Sequence, residues 1–303
     1  MSQKSLSGVM TAIITPFRQD GQIDWETFDR LLVKQEEAQV DGIVICGTTG
    51  EAPTLSVQEK LSLIRRARAN VSRNIQIIAG TGGNDTQQSI ELSRLAVDAG
   101  ADALLVVTPP YNKPSPAGLQ LHFRMIAEAV GMPIILYHVP GRTGQRLSAL
   151  DMARICDINQ VVAIKEASAD LTLFSQTHRQ TRHNVHQVAV LSGDDFTYLP
   201  SLAVGGEGVI SVVTNIFPEA FVAMTRRYLE GDRQTALAIH EALLPFVDIL
   251  FCESNPGPIK AALHMEGFGH NYLRPPLVAV NETSYQKIKL LLDETKDLLK
   301  TLV

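Results

Sequence analysis

Residues 161–168, Val161-Val162-Ala163-Ile164-Lys165-Glu166-Ala167-Ser168, set four apolar side chains directly before a lysine. Val and Ile are β-branched, and a continuous rather than alternating run suits a strand covered on both faces. An ammonium group at the end of such a strand is costly unless it is paired or gives up its proton, because burial disfavours the charged form. A neutral amine attacks a ketone to form a Schiff base, so an apolar setting prepares Lys165 for covalent chemistry. The plainer alternative is a lysine that emerges into solvent where the strand stops. Taken alone the octapeptide favours the plainer reading; the rest of the chain reverses it.

Working outward, seven similar runs lie at residues 9–14, 42–46, 75–79, 103–107, 134–137, 188–191 and 208–213. They too are rich in Val and Ile and continuous, as strands of a parallel sheet are. Longer amphipathic stretches separate them. Residues 24–40 carry Phe28, Leu31, Leu32 and Val33 near helical spacing, and 56–69 carry Leu61, Leu63 and Ile64. A third helix at 87–99 is stopped by Gly100. Eight strand–helix units in about 210 residues predict an α/β protein, a (β/α)8 TIM barrel. A doubly wound sheet is the alternative, but it usually shows GxGxxG after its first strand, and Ile14-Thr15-Pro16-Phe17 has no such pattern. Beyond Pro218 the period is helical at 218–230, 233–252, 258–265 and 282–302, with breaks at Gly231, Pro256 and Pro275-Pro276. The division expected is a catalytic barrel over 1–225 and a helical appendage over 226–303 that could offer an oligomer surface.

Composition narrows the partners. The 303 residues are 45% hydrophobic and 19% charged, with 27 basic and 32 acidic side chains giving a net charge of −5. No block of like charge stands out, so neither a nucleic acid nor a membrane surface is indicated. Cys46, Cys156 and Cys252 are far apart, which argues against a disulfide framework or a zinc site. Thr11, Thr15 and Pro16 interrupt the first apolar stretch, no run approaches a membrane span, and a reducing cytoplasm is expected.

A barrel of this type works at the C-terminal ends of its strands and in the loops after them. The second strand ends in Gly47-Thr48-Thr49-Gly50-Glu51. Two hydroxyls among glycines suit a carboxylate or phosphate, or else a turn with local threonine bonds. The third ends in Gly80-Thr81-Gly82-Gly83-Asn84, equally open. The fourth ends in Thr108-Pro109-Pro110-Tyr111-Asn112-Lys113-Pro114, a proline-bounded loop with one tyrosine. The fifth ends in Tyr137-His138-Val139-Pro140-Gly141-Arg142-Thr143-Gly144. A phenol can shuttle a proton and an arginine can grip a carboxylate with two parallel bonds, although a lone strand tyrosine is more often core. The seventh gives Ser192-Gly193-Asp194-Asp195 and the eighth Ile210-Ser211. His138 has no second ligand at metal spacing and reads as a packing or supporting group. An amine in an apolar barrel, a neighbouring phenol, hydroxyls with glycines and a rim arginine together describe a class I aldolase-like site for a 2-oxo acid.

Gly47-Thr48-Thr49-Gly50-Glu51, Pro110-Tyr111-Asn112-Lys113-Pro114, Tyr137-His138-Val139-Pro140-Gly141-Arg142-Thr143 and Ile164-Lys165-Glu166, with Asn255-Pro256-Gly257-Pro258-Ile259-Lys260, resemble the dihydrodipicolinate synthase family of the wider N-acetylneuraminate lyase superfamily, from Gly8 to the final helices. The resemblance implies a pyruvate Schiff base on Lys165, Tyr137 as acid and base, and Thr48 and Tyr111 completing a proton relay. Tyr111 would reach across a dimer interface. Thr49 would hold the pyruvate carboxylate, Gly193 and Ile210 would line its pocket, and Arg142 would bind the carboxylate of L-aspartate 4-semialdehyde. The product would be 4-hydroxy-tetrahydrodipicolinate, on the way to diaminopimelate and lysine. No metal or organic cofactor is implied, and the family is typically a homotetramer, a dimer of dimers.

Two departures stand out. Lysine-inhibited members line a dimer-interface cleft with polar and aromatic groups, where this chain has Ala52, Pro53, Val57, Lys60, Gln88 and Pro110, with Asn84 retained. Weak or absent lysine inhibition is therefore expected. His138 stands where asparagine is more usual. The alternative activity is another pyruvate-dependent lyase or dehydratase of the superfamily acting on a sugar acid or other aldehyde; a non-catalytic barrel sensing a small acid is the more distant rival.

Overall fold

Eight continuous apolar runs need cover on both faces, and a barrel ringed by helices supplies it without leaving a sheet edge. The computed structural model describes residues 6–303. Its strands are β1 (Gly8–Ala12), β2 (Gly42–Ile45), β3 (Gln76–Gly80), β4 (Ala103–Val107), β5 (Ile134–His138), β6 (Val161–Glu166), β7 (Ala189–Ser192) and β8 (Gly208–Ser211). All pair in parallel with their sequence neighbours, and β8 returns to β1 to close the barrel. This is the (β/α)8 architecture expected from the apolar runs.

The surrounding helices are α1 (Trp25–Glu37), α2 (Val57–Asn70), α3 (Thr86–Asp98), α4 (Pro116–Val130), the short α5 (Pro140–Thr143), α6 (Ala149–Ile155), α7 (Leu171–Thr181), α8 (Tyr198–Ala203) and α9 (Pro218–Leu229). Six of these helices start at a side-chain cap. Asp24, Asp85, Ser115, Ser148 and Asp170 each accept a backbone N–H of the first turn, and Ser56 with Glu59 forms a reciprocal capping box. Gly131 closes α4 at φ 63°, where a side chain would be strained.

Alternation along each strand divides the core in two. Met10, Val44, Ile78, Leu105, Ile135, Ala163, Leu191 and Ile210 fill the barrel interior. Ile43, Ile77, Leu104, Ile134 and Ile164 face the helices. The outer cluster continues without a break into Ala236, Phe246, Ile259 and Ile288 of α10 (Arg233–Ile249), α11 (Gly257–Met265) and α12 (Glu282–Leu299). The division expected at residues 225/226 falls inside α9, and the chain turns at Gly231, where φ is +91°. Four strands run past their expected ends: β3 includes Gly80, β5 includes His138, β6 includes Lys165 and Glu166, and β7 includes Ser192. Lys165 is thus a residue of the strand, opposite Tyr137 in the β5–β6 register.

Candidate active site

Because β5 and β6 are in register, one periodicity sets the direction of four polar side chains. Tyr137 and Lys165 turn into the barrel at its C-terminal end, and His138 and Glu166 turn out. Lys165 is 6% exposed, and its Nζ lies 4.4 Å from the centre of the Tyr137 ring. Among the described residues no carboxylate forms an ion pair with it. Gly193 is forced to be glycine by this packing: a Cβ there would sit 2.6 Å from the Ala167 Cβ and 2.8 Å from the Lys165 Cε.

A cavity of about 370 Å³ opens above this pair, lined by Thr48, Thr49, Tyr137, Arg142, Lys165, Gly193 and Asp194, with Val212, Phe251 and Asn255 also in its wall. A neighbouring cavity of about 480 Å³ shares Gly47, Thr48, Tyr137 and Arg142 and extends to Lys60 and Asn84. These shared residues form a common wall between the two. Cys46 borders the second cavity, but burial pushes its thiol up to about 12, so it is not a competing nucleophile.

The Gly47–Gly50 turn is closed by the Gly50 and Glu51 N–H groups, which donate to the Gly47 and Thr48 carbonyls at 3.1 Å each. It lies between two non-glycine residues in left-handed conformation, Cys46 at φ 58° and Glu51 at φ 53°. Thr15 Oγ1 donates to the Gly50 carbonyl at 2.7 Å and anchors the turn to the β1 loop. Thr49 does not bond locally: its Oγ1 accepts from Asn255 Nδ2 at 3.0 Å, 206 residues away. With that lone pair occupied, the hydroxyl proton is left for a ligand acceptor.

Arg142 sits at the rim on α5, exposed, with no ion pair among the described residues. Asp195 is fully buried beneath the cavity, where its Oδ2 accepts the Val212 and Val213 N–H groups at 3.0 and 3.2 Å. Desolvation pushes that carboxyl up to about 6, opposed by those bonds and by Ser211. It fixes the turn that carries Val212 to the cavity wall.

The structure thus gathers Lys165, Tyr137, Thr48, Thr49, Arg142 and Gly193 at one cavity. It does not gather the other two candidates. Ile210 lies in the apolar interior, 1% exposed, and Val212 two residues later reaches the cavity instead. Tyr111 is 89% exposed on its loop at φ 72° and lines neither cavity. Asn112 steadies that loop through its N–H to the Pro110 carbonyl and its Nδ2 to the Asn84 carbonyl, both at 2.8 Å. Reading the sequence residue by residue gives no site role to Asn255, Phe251 or Asp195. It also misses the role of Glu51, which ends the Gly-Thr-Thr-Gly turn but points away from the cavity into an ion pair with Lys260. Only the shared stretch around Asn255 and Lys260 could have signalled these partners.

A lysine without an ion-pair partner, stacked on a tyrosine inside a (β/α)8 barrel and open to a small cavity, suits a barrel enzyme of the class I aldolase type. Residues 5–295 match the Dihydrodipicolinate synthetase family, and the chain belongs to it. It is 43% identical over 94% of its length to the 4-hydroxy-tetrahydrodipicolinate synthase of Maridesulfovibrio salexigens, covering 97% of that protein. The structure of the same enzyme from Methylacidiphilum fumariolicum is similar with a TM-score of 0.94 at 41% identity, covering 98% of each chain. The chloride-inhibited dihydrodipicolinate synthase of Acinetobacter baumannii, solved with pyruvate, superposes with a TM-score of 0.93 at 39% identity, covering 96% of this chain and 99% of that one.

Proposed function

We propose that this chain is a 4-hydroxy-tetrahydrodipicolinate synthase that condenses pyruvate, held as a Schiff base on Lys165, with L-aspartate 4-semialdehyde. The observation that carries the reading is the in-register Tyr137–Lys165 pair facing the cavity without a counter-ion. The Lys165 amine adds to the pyruvate ketone, and the carbinolamine loses water to give the Schiff base. Loss of a methyl proton gives the enamine, whose carbon attacks the aldehyde. The amine of the semialdehyde then displaces Lys165 as the ring closes, and the enzyme is regenerated. Each step moves a proton, and Tyr137 with Thr48 is the relay suited to it.

Thr49 donates its hydroxyl to the pyruvate carboxylate, Gly193 makes room beside the Lys165 side chain, and Ile210 supports the floor from below. Arg142 binds the carboxylate of the semialdehyde at the rim. Tyr111, exposed on a braced loop, serves the relay of a second copy, in keeping with a homotetrameric dimer of dimers working in the cytoplasm. The chemistry requires no metal or organic cofactor.

Borohydride trapping with pyruvate, followed by peptide mass spectrometry, tests the core of this reading. The adduct is expected on the peptide holding Lys165 and absent from Lys165→Ala. Pyruvate binding without a trapped adduct would overturn it. An aldehyde panel then separates the semialdehyde from sugar acids.

A further inference from the structure

Directly behind the reacting pair stands a second cross-strand pair that the chemistry above leaves unused. His138 lies opposite Glu166, one step beyond Tyr137 and Lys165. Strand alternation turns it out of the barrel toward the helices. Both side chains are shut off from solvent, at 0% and 2% exposure.

Both nitrogens of the imidazole are engaged. The Leu147 N–H donates to His138 Nε2 at 3.1 Å. A backbone N–H can only donate, so Nε2 carries no proton and the ring is the neutral tautomer protonated at Nδ1. From Nδ1 it donates to Glu166 Oε1 at 2.9 Å, and that oxygen also accepts the Ser168 N–H at 3.0 Å.

The two backbone groups held in this way belong to the two loops that flank the site. Leu147 closes the loop that leaves β5, turns through α5 and carries Arg142 to the rim. Ser168 opens the loop that leaves β6 just after Lys165 and Glu166. Backbone bonds within the first loop are local: Arg142 and Thr143 donate to Val139, and Gly144 donates to Pro140. Its far end is held by Gln145 on the Pro114 carbonyl, by the Arg146–Asp170 ion pair and by His138. Of these only the imidazole is fully buried and connects to the strand that carries Tyr137.

We propose that His138 is a positioning residue, which through Glu166 and Leu147 fixes the reach of Arg142 relative to Lys165 and so the preference for an aldehyde bearing a carboxylate. The proposal rests on Arg142 being the carboxylate grip of the proposed function. It does not require His138 to touch substrate.

Two isosteric replacements separate the arms of the bridge. Asparagine places an atom where Nδ1 stands but none where Nε2 stands; glutamine reaches the Nε2 position. His138→Asn is expected to raise KM for the semialdehyde about tenfold through misplacement of Arg142, with kcat and pyruvate trapping within about twofold. His138→Gln should restore most of that KM. An unchanged KM in His138→Asn, or a fall of kcat, trapping and melting temperature together with no rescue by glutamine, would overturn the proposal. Hydrogen exchange provides a readout independent of turnover. The amide of Leu147 should exchange faster in His138→Asn and slow again in His138→Gln, and equal exchange in all three proteins counts against the bridge. A native enzyme that traps pyruvate yet ignores the semialdehyde refutes the assigned activity instead, while the exchange result still judges the loop.

Discussion

Among the described residues two lysines are buried, and they are buried differently. Lys165 is 6% exposed with its Nζ 4.4 Å from the Tyr137 ring centre, and Lys260 is 2% exposed with its Nζ 4.3 Å from that of Phe17. There the likeness ends. Lys260 is ion-paired with Glu51 and donates to the Tyr272 carbonyl at 3.1 Å. The second oxygen of Glu51 accepts the Arg274 N–H at 3.0 Å. Burial pushes the Lys260 ammonium down to about 8, and Glu51 opposes the shift. Lys165 faces a cavity and has no such carboxylate. Burial and an aromatic neighbour are common to both, so neither marks a nucleophile. The missing counter-ion, with space beside it, does.

Replacing each lysine by methionine should give opposite phenotypes. Lys165→Met is expected to lower turnover about thousandfold or more and to abolish borohydride trapping. Its urea midpoint should hold or rise, because a buried amine without an ion-pair partner is replaced by an apolar side chain of similar length. A large loss of stability would show that Lys165 has a structural partner after all. Lys260→Met leaves the Glu51 carboxylate buried and uncompensated, at an expected cost of about 3–5 kcal/mol in urea unfolding. Adding Glu51→Gln should recover most of that cost. If the single variant costs less than about 1 kcal/mol, the pair does not hold the Gly-Thr-Thr-Gly turn to the C-terminal helices.

The same contrast explains what could be read in the sequence. Strands covered on both faces leave a one-dimensional trace, and the apolar runs located all eight. Their ends were less legible where polar groups satisfy one another across strands. His138 and Glu166 extend β5 and β6 through a mutual hydrogen bond that a hydropathy pattern cannot register. β8 stops at Ser211 although Val212 and Val213 continue the apolar run, because buried Asp195 draws their N–H groups into a turn. Lys165, Tyr137 and Arg142 were legible as residue types at strand ends. The partners of Thr49 and Glu51 were not, since Asn255 and Lys260 lie 206 and 209 positions away.

The Phe17 ring also sharpens the comparison, for a second cation covers it. Arg274 lies 4.3 Å from the ring centre and grips Glu59 with both terminal nitrogens, at 2.6 and 3.0 Å. The Arg274 hydrogen bond is the main reason that the Glu59 carboxyl falls from 4.5 to about 2. A carboxyl whose value is lowered on folding adds stability that is complete above its unfolded value. That stability is therefore lost as pH falls from about 4.5 toward 2. Glu59→Gln should flatten this part of the acid-unfolding curve. At neutral pH it should cost about 1 kcal/mol, since the pair is partly screened by solvent. An unchanged acid slope would place the acid sensitivity elsewhere.

A third lysine completes the series, with the smallest effect. Lys60 is half-buried, has no ion pair among the described residues, and borders the 480 Å³ cavity together with Ala52, Pro53, Asn84 and Pro110. A free lysine entering this space meets a like charge, and none of the side chains lining it is a carboxylate to pair with its ammonium. Sub-millimolar lysine should therefore leave the condensation rate unchanged. Removing the repulsion is not enough to create a site, because Ala52, Pro53 and Pro110 offer no side-chain acceptor. Lys60→Gln should remain uninhibited, and only Lys60→Glu, which turns repulsion into attraction, should acquire weak binding detectable by calorimetry. Inhibition of the native enzyme at sub-millimolar lysine would mean that backbone carbonyls lining the cavity outweigh the Lys60 charge.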